Sequence, residues 1–147
     1  MAGLVDSEEV LKAVAKRLDD DATLMALVHA VQYGGRRDEG RGRHTNPYVT
    51  VTDGVVLAGD HLPLELHTIQ LTISADNVAG SKLPDEAKLG DVKSRVHTLL
   101  DDHRPTVTGA KAAGGMLCRL ATGALFDPEE PREHYCAMRW ELTLLPS

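Results

Sequence analysis

Two stretches of this chain alternate between apolar and polar side chains, which is the pattern of a β-strand buried on one face. In Glu65–Ser74 one face carries His67, Ile69, Leu71 and Ile73. In Glu133–Leu145 one face carries Cys136, Met138, Trp140, Leu142 and Leu144. A sheet with one apolar face has to be covered by a second layer. The predicted fold class is therefore α+β, with an antiparallel or mixed β-sheet and helices packed on one face.

Helical spacing at the N-terminus supplies part of the covering layer. Asp6 and Glu9 have the spacing of a capping box. They precede a stripe of Val10, Leu11, Val14 and Leu18. The acidic run at residues 19–21 interrupts the stripe and offers a second N-cap. Two helices, or one kinked helix, are therefore predicted over residues 7–32.

A central helix is predicted after Pro84, which suits a first helical turn because proline has no amide hydrogen to donate. The apolar stripe of this helix comprises Leu89, Val92, Val96, Leu99 and Leu100. Asp101, Asp102 and Pro105 end the helix. Between the two helical regions, Pro47–Thr52 has the composition of a strand.

Turn residues complete the order of elements. Asp53 and Gly54 are a strong turn signal, so Val55–Leu57 is predicted as a returning strand. The chain is predicted to close with a hairpin of Met116–Phe126 and Glu133–Leu145. The order is then α(α)–β–β–β–α–β–β in one domain spanning residues 1–147.

The register of the closing hairpin decides whether the two cysteines can meet. If its first arm ends with Phe126 opposite Arg132, Cys118 lies opposite Trp140. Cys136 then lies opposite Thr122, four residue pairs away from Cys118. The thiols are then too far apart to form a disulfide. The core-facing residues of the first arm are predicted to be Met116, Cys118 and Leu120. Both thiols are interpreted as buried and unreactive.

Composition and motifs argue against several function classes. The formal net charge of −6 does not favour general nucleic-acid binding. No run approaches the roughly 20 apolar residues of a membrane helix, and residues 1–20 do not resemble a signal peptide. The pairs His61 with His67 and His97 with His103 lack a compact metal-ligand spacing. The sequence predicts no catalytic residues, no metal site and no cofactor.

Four features, taken in order, resemble a known family. The first is an opening helical pair with an acidic break at residues 18–28, and the second is Pro47-Tyr48-Val49-Thr50-Val51 after a long loop. The third is the strand-and-helix block His67–Leu100. The fourth is a hairpin whose acidic Asp-Pro turn precedes His134–Leu142. Across nearly the whole chain they resemble the tail terminator, or tail-completion, proteins of long-tailed phages and related gene-transfer particles.

The resemblance implies a structural virion protein and not an enzyme. Members of the family form a ring, usually of six subunits, at the head-proximal end of the tail. The ring ends polymerisation of the tail tube and joins the tail to the head connector. The implied protein partners are further copies of the chain, the tail-tube protein and the head-completion or connector protein. DNA is implied to pass through the ring without sequence-specific contacts. The implied location is the virion, after assembly in the host cytoplasm.

One segment stands apart from the acidic chain. Residues 34–46 hold four glycines and no aliphatic residue, and predict a mobile loop. The candidate interaction residues in it are Arg36, Arg37, Arg41, Arg43 and His44. They suit a solvated loop tip, a contact with an acidic protein surface, or a contact with DNA phosphates. Of the two contacts, we favour docking on a protein.

Two alternatives to a tail terminator remain open. One is another neck, connector or tail-tube-related structural protein. The other is a small α+β enzyme with a His/Asp site at a subunit interface.

Overall fold

A computed structural model describes residues 5–33, 47–58, 63–126, 128–129 and 131–146. Within them lie three helices, α1 (Ser7–Asp19), α2 (Ala22–Leu27) and α3 (Glu86–Leu100). The strands of the described residues are β1 (Ala30–Tyr33), β2 (Tyr48–Ala58), β3 (Glu65–Asp76), β4 (Ala110–Ala112), β5 (Leu117–Ala121), β6 (Leu125–Phe126) and β7 (Glu133–Pro146). Helices and a mixed sheet in one chain confirm the predicted α+β class.

The sheet is built around the pairing of β3 with β7. Its strand order is β1-β2-β3-β7, and β6, β5 and β4 follow one another along the far side of β7. β3 and β7 are antiparallel and in continuous register from Glu65 opposite Leu144 to Asp76 opposite Glu133. β1 is parallel to β2 and makes the sheet mixed.

The predicted apolar faces form the core. Burial alternates residue by residue along β3 and along most of β7, and Trp140 is fully buried. The helical stripes are buried as well: Val10, Leu11, Val14 and Leu18 on α1, and Leu89, Val92, Val96, Leu99 and Leu100 on α3. α1 contacts β1 and β2, and α3 contacts β3. The helices therefore cover the face predicted to be apolar.

Aspartate side chains begin all three helices. The Asp6 side chain accepts a hydrogen bond from the Glu8 amide at the start of α1. Asp21 does the same for Leu24 in α2, as predicted from the acidic break. The Asp85 side chain caps α3, which begins at Glu86, so Pro84 lies outside the first helical turn in which it was predicted.

Asp21 also joins α2 to α3. Its carboxylate accepts two hydrogen bonds from Arg95, at 2.8 Å from Nε and 2.7 Å from Nη2. The hydrogen bond with Arg95, followed by that from the Leu24 amide, lowers the pKa of Asp21 from 3.8 to about 2.

The prediction of helix as far as residue 32 is wrong. α2 ends at Leu27, and Val28 is extended. Val31 then pairs with Val49 as part of the short parallel strand β1. Val28 and Val31 are three residues apart, so their burial satisfies a helical pattern even though the backbone is extended.

The predicted turn at Asp53 and Gly54 is also wrong, since both residues lie inside β2. The register moves from Asp53 opposite Ile69 to Val56 opposite His67, so β2 contains one extra residue there and forms a β-bulge. A Cβ on Gly54 would lie 3.2 Å from both Cγ2 and the backbone oxygen of Thr68. The glycine that signals a turn in the sequence thus allows close approach of two strands.

The predicted hairpin arm contains a second bulge, inside β5, and is interrupted at residues 122–124 before β6 begins. Cys118 pairs with Trp140 as predicted. The register then shifts between Cys118 and Leu120, and Phe126 pairs with His134 instead of Arg132.

The shift also changes the partner of Cys136 and the direction of one leucine. Thr122 exchanges hydrogen bonds with Ala137, so it is not opposite Cys136. Leu120 pairs with the exposed Arg139 and not with a core residue, which makes its predicted core position wrong. Both cysteines are free thiols, as predicted.

Replacing Gly115 with Ala is expected to destabilise the fold, because the added Cβ would lie 2.5 Å from the Cα of Asp102. Two backbone hydrogen bonds hold the segments together here, from the Asp102 amide to the Met116 carbonyl and from the Met116 amide to the His103 carbonyl. Overpacking of this kind costs about 1–3 kcal/mol. Urea denaturation followed by Trp140 fluorescence measures the free energy of unfolding.

Gly114→Ala is the matched control, since no described atom outside its chain neighbours lies within 4 Å of the Cβ it would add. Equal losses of stability at the two positions would contradict the close approach of Gly115 to Asp102.

The Asp21–Arg95 pair is expected to make stability depend on pH in acid. The pKa of Asp21 is lower in the folded protein than its ordinary value of 3.8. The ionised carboxylate therefore adds stability above this value, and the contribution is lost as the pH falls toward 2. Asp21→Asn keeps a capping side chain but should flatten this part of the stability curve, measured by denaturation at several pH values.

Arg95→Gln is expected to flatten the same part of the curve, and the double variant should flatten it little further. Fully additive effects of the two substitutions would show that the carboxylate and the guanidinium act independently.

Candidate interaction surface

The face of the sheet opposite the helices is half-buried and mostly uncharged. On β3 it carries Leu66, Thr68, Gln70, Thr72 and Ser74, which alternate with the buried residues. Thr50 and Thr52 of β2 pair with Thr72 and Gln70 and extend this face. On β7 it continues through Tyr135, Ala137, Arg139, Glu141 and Thr143.

Charge on the protein is divided between its two layers. The N-terminal helical region, residues 5–27, contains six acidic and three basic side chains. On the outer face of the sheet, Glu141 is paired with Arg119 of β5, with Nε 2.8 Å from Oε2, and Arg139 is exposed. A chain of net charge −6 thus presents a nearly neutral sheet face. Depletion of charge is a property of the centres of protein–protein interfaces.

Exposed leucines lie along one side of this face, on β5 and β6. Leu117, Leu120 and Leu125 are 50%, 46% and 40% exposed, and we call them the β5–β6 strip. Their pairing with Glu141, Arg139 and Tyr135 places all three on the side of the sheet away from the helices. Neighbouring exposed apolar residues of this kind mark contact surfaces.

The β5–β6 strip was not predicted, although the sequence contains a signal for it. Leu117 and Cys118 are consecutive, so apolar residues occupy both faces of the strand. Such a strand either is buried on both faces or contacts a partner through one of them.

Another exposed leucine lies toward the opposite side of the sheet, at the end of β2. Leu57 is 58% exposed and pairs with the half-buried Leu66. β1 pairs with β2 only as far as Val51. In the part of the chain that the structure describes, the second half of β2 therefore pairs on one side only.

The predicted basic loop cannot be placed on this surface. Arg36, Arg37, Arg41, Arg43 and His44 lie outside the described residues. The described residues on either side of them are Tyr33, at the end of β1, and Pro47, just before β2.

The structure pairs His67 with Glu65 in the core. His67 is 2% exposed, and its Nε2 lies 2.9 Å from Oε1 of the buried Glu65. The same carboxylate accepts hydrogen bonds from the Val5 amide at 3.1 and 3.2 Å. The pair therefore ties the segment before α1 to the first residues of β3. His61 lies outside the described residues.

His97 and His103, the other two histidines considered as metal ligands, have different surroundings. The His97 ring centre lies 5.5 Å from that of Trp140. Burial and the nearby Arg17 lower the pKa of His103. Among the described residues, no group of three or more His, Cys, Asp or Glu side chains could hold a metal ion.

Cys136 is buried as predicted, whereas Cys118, also predicted to be buried, is only half-buried. Burial raises the pKa of Cys136, and it also raises the pKa of the half-buried Cys118. A raised pKa keeps a thiol protonated and poorly nucleophilic at neutral pH. No helix in the described part of the chain has the length and apolar character needed to span a bilayer.

Comparisons with protein-family models and with curated proteins found no match. The fold is similar to that of solved structures. A chain of the virion of a native gene transfer agent particle shares 16% identity at a TM-score of 0.68, over 94% of this chain and 96% of that chain. A second solved protein shares 14% identity at a TM-score of 0.57, over 93% and 95% of the two chains. At such identities the likeness is one of fold.

Proposed function

We propose that this chain is a structural virion protein that forms a ring at the head-proximal end of a phage-like tail. The ring ends polymerisation of the tail tube and joins the tail to the head connector. The observation that carries the proposal is the fold shared, over nearly the full length of both chains, with a chain of a gene transfer agent virion. The resemblance of the sequence to tail terminators supports the same assignment.

The surface chemistry is consistent with assembly through protein contacts. The sheet face away from the helices carries mainly threonine and other uncharged side chains. The β5–β6 strip and Leu57 add exposed apolar residues at its two sides. Together they suit partners that bury neutral and apolar surface, such as further copies of the chain or the tail-tube protein.

The basic segment is assigned a separate role in this proposal. Its four arginines suit an acidic surface on the head-completion or connector protein, where opposite charges direct docking. Contact with DNA phosphates in the ring is the competing role, and it would not read sequence. We favour protein docking because the chain as a whole is acidic.

Deleting the gene from its particle-forming genome is expected to give tail tubes of uncontrolled length and heads without tails, because no ring would cap the growing tube. Electron microscopy measures the distribution of tube lengths and the fraction of joined particles. Expression of the chain in trans should restore both quantities, and labelled protein should lie at the head-proximal end of each tail.

The alternatives give different results in the same experiment. Tubes of normal length with unjoined heads would assign the chain to another neck or connector position. Complete loss of tubes would assign it to the tube itself. Particles of normal form that fail at a chemical step would favour an enzyme.

Serine substitution of the four arginines Arg36, Arg37, Arg41 and Arg43 is expected to leave folding nearly intact, because a segment without aliphatic residues adds little to a hydrophobic core. It should reduce the joining of tails to heads if the segment docks on an acidic partner. Circular dichroism checks folding, and the yield of infectious or transducing particles measures joining.

A control variant removes the same number of positive charges elsewhere, by serine substitution of Lys12, Lys16, Lys82 and Lys111. It should join tails normally. Normal particle yield from the arginine variant would assign the segment to a solvated loop tip, and loss of soluble protein would place the arginines within the fold.

A further inference from the structure

We draw no further inference here: the strongest candidate, the exposed leucines of the β5–β6 strip on the sheet face away from the helices, carries nothing further because nothing in the described part of the chain shows which partner covers it.

Discussion

The structure depends on the register between β3 and β7, the two strands at the centre of the sheet. They pair without interruption from one end of β3 to the other. Because side chains alternate across a strand, a slip of β7 by one residue would turn Trp140 to the face opposite Ile69. The helices dock on the face that this register makes apolar. β7 also supports β4, β5 and β6 in succession, so the far side of the sheet depends on the same strand.

A sheet with helices on one face leaves its other face and its edges for contacts with partners. Here the helical region carries much of the acidic charge, and the other face of the sheet is lined largely by threonine and other uncharged residues. Burying an unpaired charge costs far more free energy than burying a hydroxyl group that finds a hydrogen bond. A partner that covers the threonine-rich part of the sheet face therefore removes few charged groups from water.

The parts of the fold that could be predicted are those in which burial on one face produces a regular period. The buried stripes of α1 and α3 and the inner faces of β3 and β7 follow from spacing alone. β1 could not be predicted, because its Val31 continues a helical spacing from Val28. The bulges could not be predicted either, since Gly54 has the same local signal in a turn and in a bulge. The second bulge turns Leu120 outward, which is why the β5–β6 strip was missed.

These bulges bear on how an open sheet avoids indiscriminate pairing. A long flat edge accepts almost any strand, and proteins limit this with short strands and bulges. Here the far side of β7 is divided among three short strands, and both β2 and β5 are bulged. Both devices leave each edge with only a short run of regular backbone groups with which a foreign strand could pair.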